Sequence, residues 1–84
     1  MEILFHQDAW EDYQYFQKND IKIIEKINQL IKDITKSPFL GIGKPEALKY
    51  NLSGNWSRRI NHEHRLVYTI KNKTVYILQC RYHY

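Results

Sequence analysis

Most side chains able to do chemistry are crowded into three stretches of the second half of the chain: "GKPEALKY", "WSRRINHEHR" and the terminal "CRYHY". They supply two carboxylates, Glu46 and Glu63, and three imidazoles, His62, His64 and His83. They also supply the cations Lys49, Arg58, Arg59, Arg65 and Arg81, with Tyr50, Tyr68, Tyr76, Tyr82 and Tyr84 interleaved or nearby. This set suits proton transfer at a phosphodiester. RNA carries its own nucleophile, the 2′-hydroxyl. Cleaving it without a metal takes a base for the 2′ proton, an acid for the leaving 5′ oxygen, and cations for the charge that develops between them. Imidazoles titrate near neutrality. The planar fork of arginine grips phosphate oxygens in pairs, and tyrosine faces accept unstacked bases. Each residue also has a plainer reading: Glu46 as a solvated loop carboxylate, Arg65 as a sheet-edge cation, His83 as a terminal side chain.

Other chemistries fit less well. No C-x-x-C or H-E-x-x-H pattern exists, and "HEH" at 62–64 is a poor ligand spacing, so no metal or other cofactor is expected. "GIGKPE" lacks half of a phosphate loop, and Lys44 is followed by proline rather than Ser or Thr. Gly41 and Gly43 read instead as turn residues. Cys80 and His83 lie three apart, which on a strand sends them to opposite faces; a buried structural thiol is the better reading of Cys80.

Composition narrows the partners. Residues 1–36 hold five Lys against seven Asp and Glu, whereas residues 37–84 hold eight Lys and Arg against two Glu. A basic half on a mildly acidic one points to a polyanion, and nucleic acid is the natural candidate. Eighty-four residues make one domain, 1–84. A single cysteine excludes an internal disulfide and fits a reducing compartment. The start "MEILFHQDAW" carries neither a signal-peptide pattern nor a membrane span, so a cytoplasmic protein is expected, with no membrane partner.

The elements that must position these residues follow from periodicity. "MEILFH" reads as a strand. "DAWEDYQYFQKN" reads as a helix, with Asp8 as N-cap and Glu11 closing a capping box; Trp10, Tyr13 and Phe16 form its apolar stripe. Ile21, Ile24, Ile27, Ile31 and Ile34, with Ile23 and Leu30, recur at helical spacing until Ser37-Pro38 stops them. Residues 37–55 hold all the glycines and prolines and read as loop. "WSRRIN", "HRLVYTI" and "TVYILQCRYHY" read as strands, separated by turns at "NHE" and "KNK". The order β-α-α-β-β-β predicts an α+β fold, with two N-terminal helices packed on one face of a twisted antiparallel sheet. The last strand is expected to run to the chain end. Whether Arg65 and His83 share a face stays open: a three-residue turn at 71–73 puts them together, and a two-residue turn separates them.

The stretch "PFLGIGKPEALKYNLSGNWSRRINHEHRLVY", the terminal "CRYHY" and the W-x-D-Y pattern of the first helix resemble the YoeB-type (Txe) toxins of the RelE superfamily, across essentially the whole chain. The resemblance implies a RelE-like, microbial-ribonuclease-like fold. It implies an mRNA interferase: a metal-free endoribonuclease that cuts mRNA in the ribosomal A site and inhibits translation. The implied partners are mRNA on the 70S ribosome, a YefM/Axe-type antitoxin and a second copy in a homodimer. By the same likeness Glu46 is the general base, His83 the general acid, and Arg65 the ligand of the scissile phosphate. Lys49, Arg59 and Tyr84 hold the phosphate and the adjoining nucleotide, and Glu63 orients an arginine. A Glu–His pair can run its proton transfers in either direction. The competing reading is a non-catalytic RNA- or ribosome-binding module built on the same basic, tyrosine-rich sheet.

Overall fold

The structure is a computed structural model and describes residues 1–82. Strand β1 (Glu2–Phe5) leads directly into helix α1 (Gln7–Asn19) and then α2 (Ile21–Lys36). The short β2 (Glu46–Ala47), a 3-10 turn at Tyr50–Leu52, and strands β3 (Trp56–Arg59), β4 (Arg65–Lys71) and β5 (Thr74–Gln79) follow. The five strands form one sheet in the order β1-β5-β4-β3-β2, antiparallel except where β1 runs parallel to β5. The α+β expectation is met, with β1 as the exception to a fully antiparallel sheet. β2 lies inside the stretch read as loop; two residues carry no periodic signal.

The helices form as their apolar spacing requires. Ile24, Ile27, Leu30, Ile31 and Ile34 of α2 are buried against Ala9 and Phe16 of α1 and the sheet residues Ile60, Leu66, Tyr68, Val75 and Ile77. Asp20 alone joins the helices, ending α1 and accepting the Ile23 N–H at the start of α2. Ser37 closes α2 through its N–H to Asp33, just before Pro38. The start of α1 differs from expectation. The helix begins at Gln7 behind His6, which makes no side-chain cap, and Glu11 accepts instead from Gln7 on the next turn. The aromatic stripe is only partly core: Phe16 is buried, whereas Trp10 is 46% exposed.

Two local devices set the register of the sheet. The β4–β5 turn has two residues, Asn72 and Lys73, both at positive φ (50° and 60°). Such a turn matches the twist of its strands. A bulge then shifts pairing from Tyr68↔Ile77 to Val67↔Gln79. The extra residue reverses the parity that the two-residue turn imposes. The last strand stops at Gln79 rather than at the chain end.

The buried centre of this framework is Arg58, which the sequence offers as a phosphate ligand. It is fully buried on the helix side of β3. Its guanidinium pairs with Asp33 of α2. It also donates to the carbonyls of Ser37, Leu40 and Ile42 and to the Tyr68 hydroxyl, which in turn donates to the carbonyl of Pro38. Arg58 therefore organises the loop after α2 and is not available to RNA; Tyr68, also buried, is no base platform. Gly41 (φ 127°) serves this hub. A Cβ there would fall 2.1 Å from an Asp33 carboxylate oxygen.

Candidate functional site

The helices cover one face of the sheet and leave the other without a helical layer. Alternation along β3 sends Trp56 and Arg58 to the covered face, and Ser57 and Arg59 to the open one. Cross-strand partners share a face. Glu46 pairs with Ser57, and Arg59 with Arg65, so Glu46, Arg59 and Arg65 stand on the open face of three adjacent strands. Ser57 and Val67 form its floor and are buried. Strand spacing and rise put the Glu46 and Arg65 backbones on the order of 12 Å apart. A carboxylate and a guanidinium reaching inward from that separation can flank one phosphodiester.

Each of these side chains is set by its local backbone. Arg65 is tethered through one nitrogen, Nη1, which donates to the carbonyls of Asn61 (2.9 Å) and His64 (3.3 Å). The Nε and Nη2 groups of its guanidinium make no hydrogen bond to another described residue. A guanidinium fixed on one side and open on the other is preorganised to receive an anion. Glu46 sits between two residues at positive φ, Lys44 (52°) and Tyr50 (59°). Non-glycine residues enter that region only where the surroundings hold them there, and such strain gathers at functional sites. Lys49 is exposed where β2 gives way to the 3-10 turn, and Tyr50 beyond it is 91% exposed. Together with Glu46 they line a groove of about 410 Å³.

Glu63 lies in the β3–β4 turn, where the Asn61 side chain accepts its N–H and that of His64. Its carboxylate approaches His64 Nε2 at 3.6 Å rather than an arginine. His83 and Tyr84 lie outside the described residues.

Cys80 is buried, as its plainer reading requires. Its Sγ donates to the carbonyl of Ala9, and burial pushes its thiol up to about 12, so it carries no thiolate at neutral pH. The sequence offers His64 as a proton-transfer imidazole or a poor metal ligand; its structural place is different, buried against Phe16 and bonded to the backbone of Tyr82. Only the proximity of "HEH" to the terminal stretch in a folded sheet could have drawn attention to it.

Among known proteins, a family model described as the YoeB-like toxin of bacterial type II toxin–antitoxin systems matches residues 5–84. The toxin YoeB of Synechocystis is 60% identical over 84 residues, covering 100% of this chain and 98% of that protein. A solved YoeB/ParE toxin from Agrobacterium tumefaciens superposes with a TM-score of 0.98 at 43% identity, each chain covered in full. Staphylococcus aureus YoeB, solved both as a dimer (55% identity) and as a YoeB–YefM complex (54% identity), superposes with a TM-score of 0.93 over 100% of this chain and 98% of that one. With an open basic sheet face, a family match over residues 5–84 and relatives of this closeness, the chain belongs to the YoeB-like toxins of bacterial type II toxin–antitoxin systems.

Proposed function

We propose that this toxin is a metal-free endoribonuclease that cuts mRNA in the A site of the 70S ribosome and so stops translation. Glu46 takes the proton of the 2′-hydroxyl. The freed oxygen attacks the adjacent phosphorus, and Arg65, aided by Arg59 and Lys49, stabilises the charge gathering on the phosphoryl oxygens. His83 gives a proton to the departing 5′ oxygen, and Tyr84 holds the neighbouring nucleotide. The products are a 2′,3′-cyclic phosphate, or the 3′-phosphate it opens to, and a 5′-hydroxyl. Glu63 acts outside this set, through His64. Family likeness supplies the rest: a YefM/Axe-type antitoxin that blocks the site, a homodimer, and action in the cytoplasm.

The observation that carries this reading is the common open face of Glu46, Arg59 and Arg65, a carboxylate and two guanidinium groups on adjacent strands. Substituting a single 2′-deoxynucleotide on the 5′ side of the cut position tests the mechanism. Cleavage there is expected to vanish while neighbouring cuts persist. Continued cleavage at the deoxy position, leaving a 5′-phosphate, would mean that water rather than the 2′-hydroxyl is the nucleophile. Binding without any cleavage would return the protein to the class of non-catalytic ribosome-binding modules.

A further inference from the structure

The chain leaves the ladder at Gln79, yet the next three residues are fastened one by one. The Cys80 N–H donates to the Asp12 carboxylate at 3.3 Å. The Arg81 guanidinium lies 3.6 Å from the ring centre of Tyr15 on α1. Its carbonyl accepts from Gln79 Nε2. Tyr82 is held from both sides: its carbonyl accepts the Arg65 N–H at 3.0 Å, and its N–H donates to His64 Nδ1 at 2.7 Å. Tyr82 has a φ of 63°, a conformation that a residue with a Cβ keeps only when its neighbours enforce it.

His64 is built for this duty. Its buried ring meets Phe16 edge-on (ring centres 5.0 Å apart) and Tyr82 at a tilt (5.6 Å). Its own N–H is tied to Asn61, and its carbonyl accepts from Ile60. Accepting the Tyr82 N–H requires a bare lone pair on Nδ1. The ring proton therefore sits on Nε2, which faces Glu63 Oε1 at 3.6 Å.

We propose that His64 is a positioning residue for the cleavage reaction: as the neutral Nε2–H tautomer it locks the Tyr82 backbone beside Arg65, at the point where the chain passes on to His83 and Tyr84. The proposal rests on the reading that those last residues act on RNA. It joins the β3–β4 turn, which also tethers Arg65, to Tyr82, so that one turn holds both the phosphate ligand and the residue that precedes the acid.

The lock has a pH sense. The imidazolium has an N–H where the lock needs an acceptor, so protonation sets two donors against each other. The charged groups around the ring are Glu63 in the turn, Asp12 on α1, Asp20 between the helices and Arg81 in the arm. Burial is the largest influence and holds the ring below the ordinary histidine value; Arg81 adds to it, against the three carboxylates. The lock is thus intact at neutral pH and lost as pH falls below the usual histidine range.

The test uses the full chain and two variants. His64→Asn places a non-titrating carbonyl oxygen where Nδ1 stood, and His64→Leu keeps the bulk but removes the acceptor. Imidazole nitrogen spectra of the unaltered chain at neutral pH should show Nδ1 bare and Nε2 protonated. The Tyr82 amide should exchange at least tenfold faster in His64→Leu, with near-native protection in His64→Asn. Cleavage of ribosome-bound message should fall at least tenfold in His64→Leu and recover to within about threefold in His64→Asn. Relative to the unaltered chain, the Asn variant should gain activity as pH falls below the usual histidine range. A proton on Nδ1, or unchanged Tyr82 protection in a folded Leu variant, would overturn the lock. If His64→Leu does not fold, the tautomer and the Asn pH profile still decide. Full cleavage by His83→Gln would sink the terminal-site reading instead, a separate result that leaves the tautomer and the Tyr82 amide to be read on their own.

Discussion

Replacing Arg65 by alanine is expected to slow message cleavage by about 10²–10³-fold while ribosome binding weakens far less, the scale seen when one preorganised donor to transition-state charge is removed. The cause is geometric. Two backbone carbonyls hold Nη1, so the guanidinium is not free to swing, and Arg65 stands on the open face of β4 opposite Arg59. Arg65→Lys keeps the charge but loses both the fork and the tether, so it should recover only a small part of the rate. The measurement is single-turnover cleavage on programmed ribosomes, with melting curves to show that the fold persists. A loss under about threefold in Arg65→Ala would remove Arg65 from the chemistry and leave it as a brace for the β3–β4 turn.

The neighbouring arginine should behave in the opposite way. Arg58→Ala is expected to cost about 3–5 kcal/mol of stability, because it strands a carboxylate and several carbonyls that one buried guanidinium now serves. The whole domain has roughly 4–13 kcal/mol to lose at its length. The loss corresponds to a fall in melting temperature of roughly 12 °C or more. Arg58→Lys should rescue little, since an ammonium cannot span Asp33, Ser37, Leu40, Ile42 and Tyr68 together. The same hub gives stability an acid limb. Hydrogen bonds from Arg58 and from the Ile42 N–H, with the nearby charge of Arg58, hold the Asp33 carboxyl below its ordinary value. Its contribution is therefore present above the unfolded carboxylate value and fades as pH falls toward the folded one. A melting temperature within about 4 °C of the unaltered chain in Arg58→Ala would show the hub to be dispensable.

The contrast between adjacent arginines marks where the sequence was legible and where it was not. Both helices were readable because isoleucines at three- and four-residue spacing leave one face to bury, and Ser37-Pro38 leaves one place to stop. The α+β class followed from element order. The positions of Arg58 and Arg59 were not readable: alternation sends one to each face of β3 but does not say which face the helices cover. The same limit hid the burial of Tyr68. The parity between Arg65 and the chain end could not be read from "KNK" either, since a two-residue turn and a bulge act in opposite senses and only the second depends on distant packing. Glu46 was picked out by residue type and by family likeness. That it sits on a two-residue strand, in register with Ser57, is a tertiary fact with no local pattern behind it. The expected capping box failed because Asp8 lies inside a helix that β1 feeds directly, leaving His6 to begin it.

The central claim is that a carboxylate on β2 and an imidazole at the chain end share the proton transfers of RNA cleavage. It is tested most directly by mapping 5′ ends of a message in a purified translation system, with the unaltered toxin beside Glu46→Gln and His83→Gln. The account predicts discrete cuts at A-site codons, each bearing a 5′-hydroxyl, and their loss in both variants with the fold retained. Cuts that persist in both variants at the unaltered rate would contradict it, and would move the chemistry to other groups on the open face.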